Sequence, residues 1–531
     1  MANKTRFGVM LDCSRNGVMK VDTVKYYIDT IQKMGYNMLM LYTEDTYEVE
    51  GRPLFGYLRG RYSVEEMTEL VNYGEEKGVE LIPCIQTLAH LNQLFRWGTF
   101  SKIRDVDSIL LIDEPETYAL IEDMFKTLRK CYKTDYIHIG MDEAHMVGLG
   151  KYLDKHGYCN RFEILSRHLT RVAEIAEKYG FKSIMWSDMF FRLANNGEYY
   201  IKDPEIITEE IVNCVPEKVE LCYWDYYQRT RERYDLMIAA HKRFKKPVWF
   251  AGGAWMWRGF SPDNEISLVR TGAAMSACRD ANVGNILITC WGDDGCETPF
   301  MSVLPTLFYA AEVYRGNDDI KDIKRKFEEM FGIGFDDFCK LDLPAKITID
   351  SHNLARNHDK FMLYNDPFLG VYDKIISEDD KEIKHFKNVS RKLKPLCSNE
   401  EFGYMFRSSK ALCDLLVVKY TLGRDTRIAY ASGEADMIFE IAERYKKAIK
   451  LLDIFIKELR NAWLKEKKPH GFDVQDIRLG GLKQRLISCR DRLLQYANGE
   501  IDCIEELEEN LVYVEGLLCN DWVKNASINK I

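Results

Sequence analysis

Residues 135–145 read "DYIHIGMDEAH". A short apolar run carries one histidine, His138, passes through Gly140 and ends on adjacent carboxylates, Asp142 and Glu143. Two acids at the end of a buried strand are costly to desolvate, so the pair calls for a use. The same layout recurs on either side. Upstream lie "RFGVMLDCS", "YNMLMLYTE" and "VELIPCIQT"; downstream lie "KSIMWSDMF", "VELCYWDYY", "PVWFAGGAW" and "NILITCWGDD". Amphipathic stretches such as "VDTVKYYIDTIQKMG" and "LSRHLTRVAEIAEKYG" separate them, each closing on Lys and Gly as helix ends do. Eight strand–helix units within the first 318 residues predict a (β/α)8 barrel. An open doubly wound sheet is the rival, but no Gly-rich phosphate loop follows an early run.

The runs end in polar or aromatic residues, among them Asp12, Arg15, Glu44, Asp45, Asp188, Asp225, Asp293 and Asp294. After a single strand this is ordinary loop polarity. Repeated over most of a barrel, it gathers carboxylates at the C-terminal mouth, where barrels carry their sites. Trp186, Trp224, Trp255, Trp257 and Trp291 stand at the ends of runs five to eight. Some would be core. Together at one mouth they suit a sugar, whose C–H faces pack on indole while its hydroxyls seek carboxylates and Arg. A carboxylate pair with one ionised and one proton-donating member fits glycoside hydrolysis.

From about residue 319 the runs stop and helical periodicity takes over, with apolar residues at 437, 438, 441, 445, 448, 452, 455 and 459. Residues 319–531 are expected to form a mainly α-helical C-terminal domain. Its apolar faces are expected to serve its own bundle core, with a homodimer through this domain as the alternative. Residues 358–370, "HDKFMLYNDPFLG", look like an aromatic loop that packs on the barrel or reaches a pocket.

Composition narrows the partners. A net charge of −9 gives no basic footprint for nucleic acid. No segment has the roughly 18 apolar residues of a membrane span. The N-terminus lacks a signal-peptide apolar core, and the 15 cysteines form no CxxC pair or zinc spacing. These features predict reduced thiols, a cytoplasmic setting and no metal site.

The segment "HIGMDE" resembles the His-x-Gly-x-Asp-Glu signature of glycoside hydrolase family 20, the β-N-acetylhexosaminidases. Further matches fall in family order. "LDCSRNGV" is similar to the first-strand segment whose arginine holds the sugar O3 and O4 hydroxyls, which implies Arg15. "IPCIQTLAHLNQL" resembles Pro-Glu-x-Asp-x-Pro-Gly-His: Pro83 and His90 are kept, while Cys84 and Gln86 replace the two acids. "MWSD" implies Trp186 as pocket wall, "CYWDYY" implies Tyr223 and Asp225, and "CWGDDGCE" implies Trp291 as pocket floor. For the O4/O6 contact both Asp293 and Glu297 stay open. His138 is given a supporting role and Trp255 a place in the sugar pocket. The resemblance covers residues 6–315 and is to a bacterial branch with a helical C-terminal domain. The small α/β domain that opens many family members is not expected here, since the barrel pattern starts almost at Met1.

The resemblance implies exo-acting, retaining removal of terminal β-linked GlcNAc or GalNAc from a small oligosaccharide, with no metal or organic cofactor. The nucleophile would be the substrate's own acetamido oxygen. Asp142 would orient that group, Tyr223 would donate to its oxygen, and Glu143 would act as acid and then base. Two rivals remain: a retaining glycosidase with Asp225 or Asp293 as nucleophile, and a non-catalytic sugar-binding barrel with a helical interaction domain.

Overall fold

The computed structural model describes residues 5–347, 357–513, 522–527 and 529. Eight parallel strands close in sequence order into a barrel. They are β1 (Arg6–Asp12), β2 (Met38–Thr43), β3 (Glu80–Ile85), β4 (Tyr136–His138), β5 (Lys182–Trp186), β6 (Val219–Trp224), β7 (Trp249–Gly253) and β8 (Asn285–Cys290). β1 pairs with β8, which seals the ring. The expected (β/α)8 barrel is thus present in full.

Strand alternation sorts the side chains. Met10, Met40, Cys84, Ile184, Cys222 and Leu287 point into the barrel and fill it. Their neighbours, such as Leu11, Leu41, Tyr223, Phe250 and Ile288, point outward into the core shared with the helices. Cys84, which stands where the family carries an acid, lies against the Met10 thioether at 3.9 Å. Every cysteine among the described residues is free.

β4 is the shortest strand and pairs with β3 only at Cys84 and His138. It stops because the next residues leave extended geometry: Gly140, Met141 and Glu143 have φ of 73°, 69° and 52°. At Gly140 a Cβ would sit 2.2 Å from Gln86 Oε1, so glycine is required there. The left-handed turn directs both acids to the mouth.

Helix 304–314 closes the barrel, and helical structure continues from residue 320. No strand is assigned after β8 among the described residues. The longest helix, Ala435–Glu466, buries Ile438, Ile441, Tyr445, Ala448, Leu452, Phe455 and Leu459. All of the predicted apolar face except Met437, which is exposed, therefore goes into the domain's own core. Residues 358–364, expected to be loop-like, form a buried helix.

Candidate active site

The pocket at the C-terminal mouth is ringed by residues from all eight strand ends. Arg15 follows β1, Tyr42 lies on β2, and His90 follows β3. Asp142 and Glu143 follow β4, and Trp186 ends β5. Trp224, Tyr226 and Tyr227 belong to the end of β6, Trp257 follows β7, and Trp291 and Asp293 follow β8. The cavity is small and open to solvent, about 120 Å3.

Asp142 and Glu143 are placed differently. The Asp142 side chain is 13% exposed and Glu143 is 47% exposed. Gln86 Nε2 donates to Asp142 Oδ1 at 2.7 Å, and the Met141 backbone N–H donates to Gln86 Oε1 at 3.1 Å. His90 Nε2 stands 3.3 Å from Asp142 Oδ2 and 3.7 Å from Glu143 Oε2, a charge contact rather than an aligned hydrogen bond. Burial alone would raise the Asp142 pKa, but the His90 charge and the Gln86 amide outweigh it and hold the carboxyl below its usual range. Burial likewise opposes the His90 cation, yet the Asp142 charge pushes His90 up to about 9. One acid is thereby kept ionised and oriented while the other reaches solvent.

Behind them lies Asp188, fully buried. It accepts from the Glu143 backbone N–H at 3.3 Å and from the Trp224 indole at 3.4 Å. Burial and the Asp142 charge push it up to about 7.

On the opposite side of the mouth, Arg15 pairs with buried Glu44 at 3.2 Å, and the Glu44 charge holds the guanidinium ionised. Loss of water pushes Asp293 up to about 6 against the pull of Arg15. The aromatic lining is continuous: Trp291 meets Tyr42 edge-on at 4.8 Å and Trp186 at 6.1 Å, and Trp224 stacks on Tyr226 at 5.4 Å. Arg15 Nε and Trp186 Nε1 find no acceptor among the described residues.

Several predicted residues lie off the pocket surface. Tyr223 faces outward, because Cys222 and Trp224 take the inward positions of β6. Its hydroxyl donates to Asp225 Oδ2 at 2.8 Å. Asp225 is buried, accepts from the Tyr227 backbone N–H at 2.9 Å and so braces the turn that presents Tyr227. Burial raises its pKa. Glu297 is also turned away from the pocket: Lys360 Nζ holds it at 2.6 Å and Arg478 at 3.1 Å, both from the helical domain. Of the two acids left open after β8, Asp293 is the one in the pocket.

His138 is buried inside the barrel, with its ring 4.2 Å from that of Trp186 and its Nδ1 accepting from the Gly140 N–H. Burial pushes it down to about 3, so it is a neutral brace for wall and turn. Trp255 lies beneath the surface, stacked on Trp257 at 4.6 Å and donating to the Tyr226 carbonyl. Sequence reasoning passed over Tyr42, Tyr226, Tyr227 and the role of Gln86. The doublet after Asp225 was the available signal, since continued alternation beyond Trp224 brings Tyr226 to the same side. No group of three His, Cys, Asp or Glu among the described residues is arranged to hold a metal ion.

An acid pair in an aromatic ring at a barrel mouth defines the site layout of a sugar-handling (β/α)8 protein. Two family models match the chain: "Glycosyl hydrolase family 20, catalytic domain" over residues 6–229, and "Glycoside Hydrolase 20C C-terminal domain" over residues 336–521. The chain belongs to glycoside hydrolase family 20. It is 25% identical to human hexosaminidase D over 217 residues, 39% of this chain and 42% of that protein. It is 22% identical to β-hexosaminidase 3 of Arabidopsis thaliana over 245 residues, 41% of this chain and 45% of the relative. The match thus spans under half the length of these relatives. The crystal structure of the β-N-acetylhexosaminidase from Bacteroides fragilis overlaps 62% of this chain and 71% of its own, at 18% identity and a TM-score of 0.47. That likeness is too distant to bear on the site.

Proposed function

We propose that the chain is an exo-β-N-acetylhexosaminidase that releases terminal β-linked GlcNAc or GalNAc from small oligosaccharides with retention, using the substrate's acetamido oxygen as nucleophile. The observation that carries this reading is the unequal acid pair, with Asp142 fixed and ionised between Gln86 and His90 and Glu143 open to solvent beside it. Family membership and the hexosaminidase relatives support it.

In this reading Asp142 accepts the acetamido N–H, turns the carbonyl oxygen toward the anomeric carbon and offsets positive charge as the oxazolinium forms. Glu143 protonates the leaving oxygen and then takes a proton from the incoming water. Tyr227 replaces Tyr223 as donor to the acetamido oxygen, since its ring lines the pocket and Tyr223 points away. Trp186, Trp291 and Trp224 pack on the sugar, and Arg15 and Asp293 hold its outer hydroxyls.

A protein nucleophile is disfavoured. Asp225 is buried in contacts with Tyr223 and Tyr227, and Asp293 lies on the Arg15 side of the mouth. A cytosolic setting fits the free thiols. No helix among the described residues is long and apolar enough to cross a membrane. Neither nucleic acid nor membrane is part of the proposal, and the net charge of −9 agrees with that.

The test is a panel of aryl β-glycosides of GlcNAc, GalNAc and glucose, run on wild type and Glu143→Gln. Hydrolysis confined to the acetamido sugars and lost in Glu143→Gln is expected. Equal hydrolysis of the glucoside would overturn substrate assistance, and no hydrolysis at all would favour a binding barrel.

A further inference from the structure

The helical domain meets the mouth on one side, and its charged contacts there are directed at two loops. The elbow between helices Ala435–Glu466 and Phe472–Ala497 lies against the loop after β1, which carries Arg15. Met19 and Lys467 form an antiparallel bridge. The Lys468 N–H donates to the Val18 carbonyl at 2.7 Å, and the Lys20 N–H donates to the Glu466 carbonyl at 3.1 Å. Gly471, at φ 88°, approaches so closely that a Cβ there would stand 2.2 Å from the Asn16 carbonyl oxygen.

The same elbow grips the loop after β8, which carries Asp293. Lys467 Nζ donates to the carbonyls of Cys296 at 2.8 Å and Thr298 at 3.2 Å. Glu466 accepts from the backbone N–H groups of Phe300 and Met301. Arg478 Nη1 donates to the Asp294 carbonyl at 2.8 Å, next to Asp293 in the chain. From a second helix Lys360, fully buried, pairs with Asp294 at 2.8 Å and Glu297 at 2.6 Å.

An adhesive interface needs only apolar contact, and buried charge pairs add little to stability for their desolvation. Here buried charges are spent on main-chain carbonyls, amides and the two acids flanking one pocket residue. Such contacts fix where a loop stands. The end of β4, with the acid pair, is held instead by Gln86, His90 and Asp188 of the barrel.

We propose that the elbow at residues 466–478 is a positioning element for sugar recognition, setting Arg15 and Asp293 at the correct separation for the substrate's outer hydroxyls while leaving the chemistry at Asp142 and Glu143 untouched. This rests on the hexosaminidase reading above.

The experiment compares aryl β-GlcNAc with its 4-deoxy analogue on wild type, Arg478→Lys and Lys467→Gln. Arg478→Lys keeps a cation beside Asp294 and Glu297 but loses the fork. Lys467→Gln removes the ammonium without stranding a carboxylate. Thermal melting confirms that each variant is folded, and either folded variant suffices. The expected result is a KM for the parent sugar raised roughly tenfold, with kcat changed less than about threefold. On the 4-deoxy sugar, which lacks one of the hydroxyls these residues hold, the gap between wild type and variants should narrow. An equal KM rise on both sugars, a fall in kcat alone, or no change in a folded variant would overturn the proposal. Absence of hydrolysis by wild type would instead overturn the hexosaminidase reading itself.

Discussion

The two sides of the mouth are built by different means. The end of β4 is shaped locally. Three residues in left-handed geometry turn the chain, and Gln86 after β3 and Asp188 after β5 hold the Asp142 carboxylate and the Glu143 backbone. The β1–β8 side is shaped at long range: side chains 63 to 184 positions away hold the loop after β8, and the backbone of residues 466–468 holds the loop after β1. Strained backbone held by barrel groups fixes charges for chemistry, whereas the loops that sense the substrate are held by barrel groups such as Asp12 and Arg59 and, in addition, by a separate domain. A mutation should therefore reveal its side through kinetics: kcat for β4, KM for β1 and β8.

The largest effects should come from the acid pair, and they should differ. Glu143→Gln is expected to lower kcat by about 10²–10⁴-fold on a substrate with a poor leaving group, and much less on a dinitrophenyl glycoside that needs no protonation. Asp142→Asn is expected to cost roughly 10²–10³-fold with no such rescue, because it weakens oxazolinium formation itself. Parallel leaving-group dependence in the two variants would mean that their roles have been divided wrongly.

Next comes Arg15→Lys. It keeps a charge beside buried Glu44 but loses the planar fork, so KM should rise about tenfold at near-constant kcat. A fall in kcat with KM unchanged would place Arg15 on the chemical side. A similar but smaller contrast separates two tyrosines. Tyr227→Phe should lower kcat by about tenfold through loss of a donor to the acetamido oxygen. Tyr223→Phe should spare kcat and show itself in the melting temperature, since its hydroxyl serves only buried Asp225. The reverse outcome would restore the role that the sequence suggested.

The smallest effect concerns pH. With His90 raised to about 9, its cation faces Asp142 throughout the neutral range. kcat/KM should decline as pH rises through about 9, and His90→Gln should remove that limb. For stability the sign follows from the raised pKa: the contribution is fully present below the unfolded value near 6.5 and is lost as pH rises through about 9. Melting temperatures of wild type and His90→Gln that stay parallel between pH 6 and 10 would contradict the ion pair.

The same division explains what the sequence disclosed. All eight strands were legible because each is a continuous apolar run, as buried parallel strands must be. The acid pair was legible because its motif is local. Tyr223 was misread because both it and Trp224 were placed at the mouth, although alternation allows only one of two neighbours to face inward. Glu297 could not be separated from Asp293, because the distinction depends on Lys360 and Arg478, far along the chain. Residues 358–370 read as a loop for the same reason. The helix at 358–364 is stabilised by burial against the barrel, including the bond from Ser261 to Asp359 at 2.8 Å, rather than by its own short pattern.

In the proposed mechanism Asp142 serves a nucleophile that belongs to the substrate. Inhibition of wild-type hydrolysis by a GlcNAc-derived thiazoline, which mimics the bicyclic oxazolinium, tests this most directly. Competitive inhibition far tighter than the KM for the aryl glycoside is expected, weakened strongly by Asp142→Asn. Hydrolysis that proceeds unaffected by the thiazoline, with a covalent glycosyl-enzyme trapped by a 2-fluoro sugar, would contradict it.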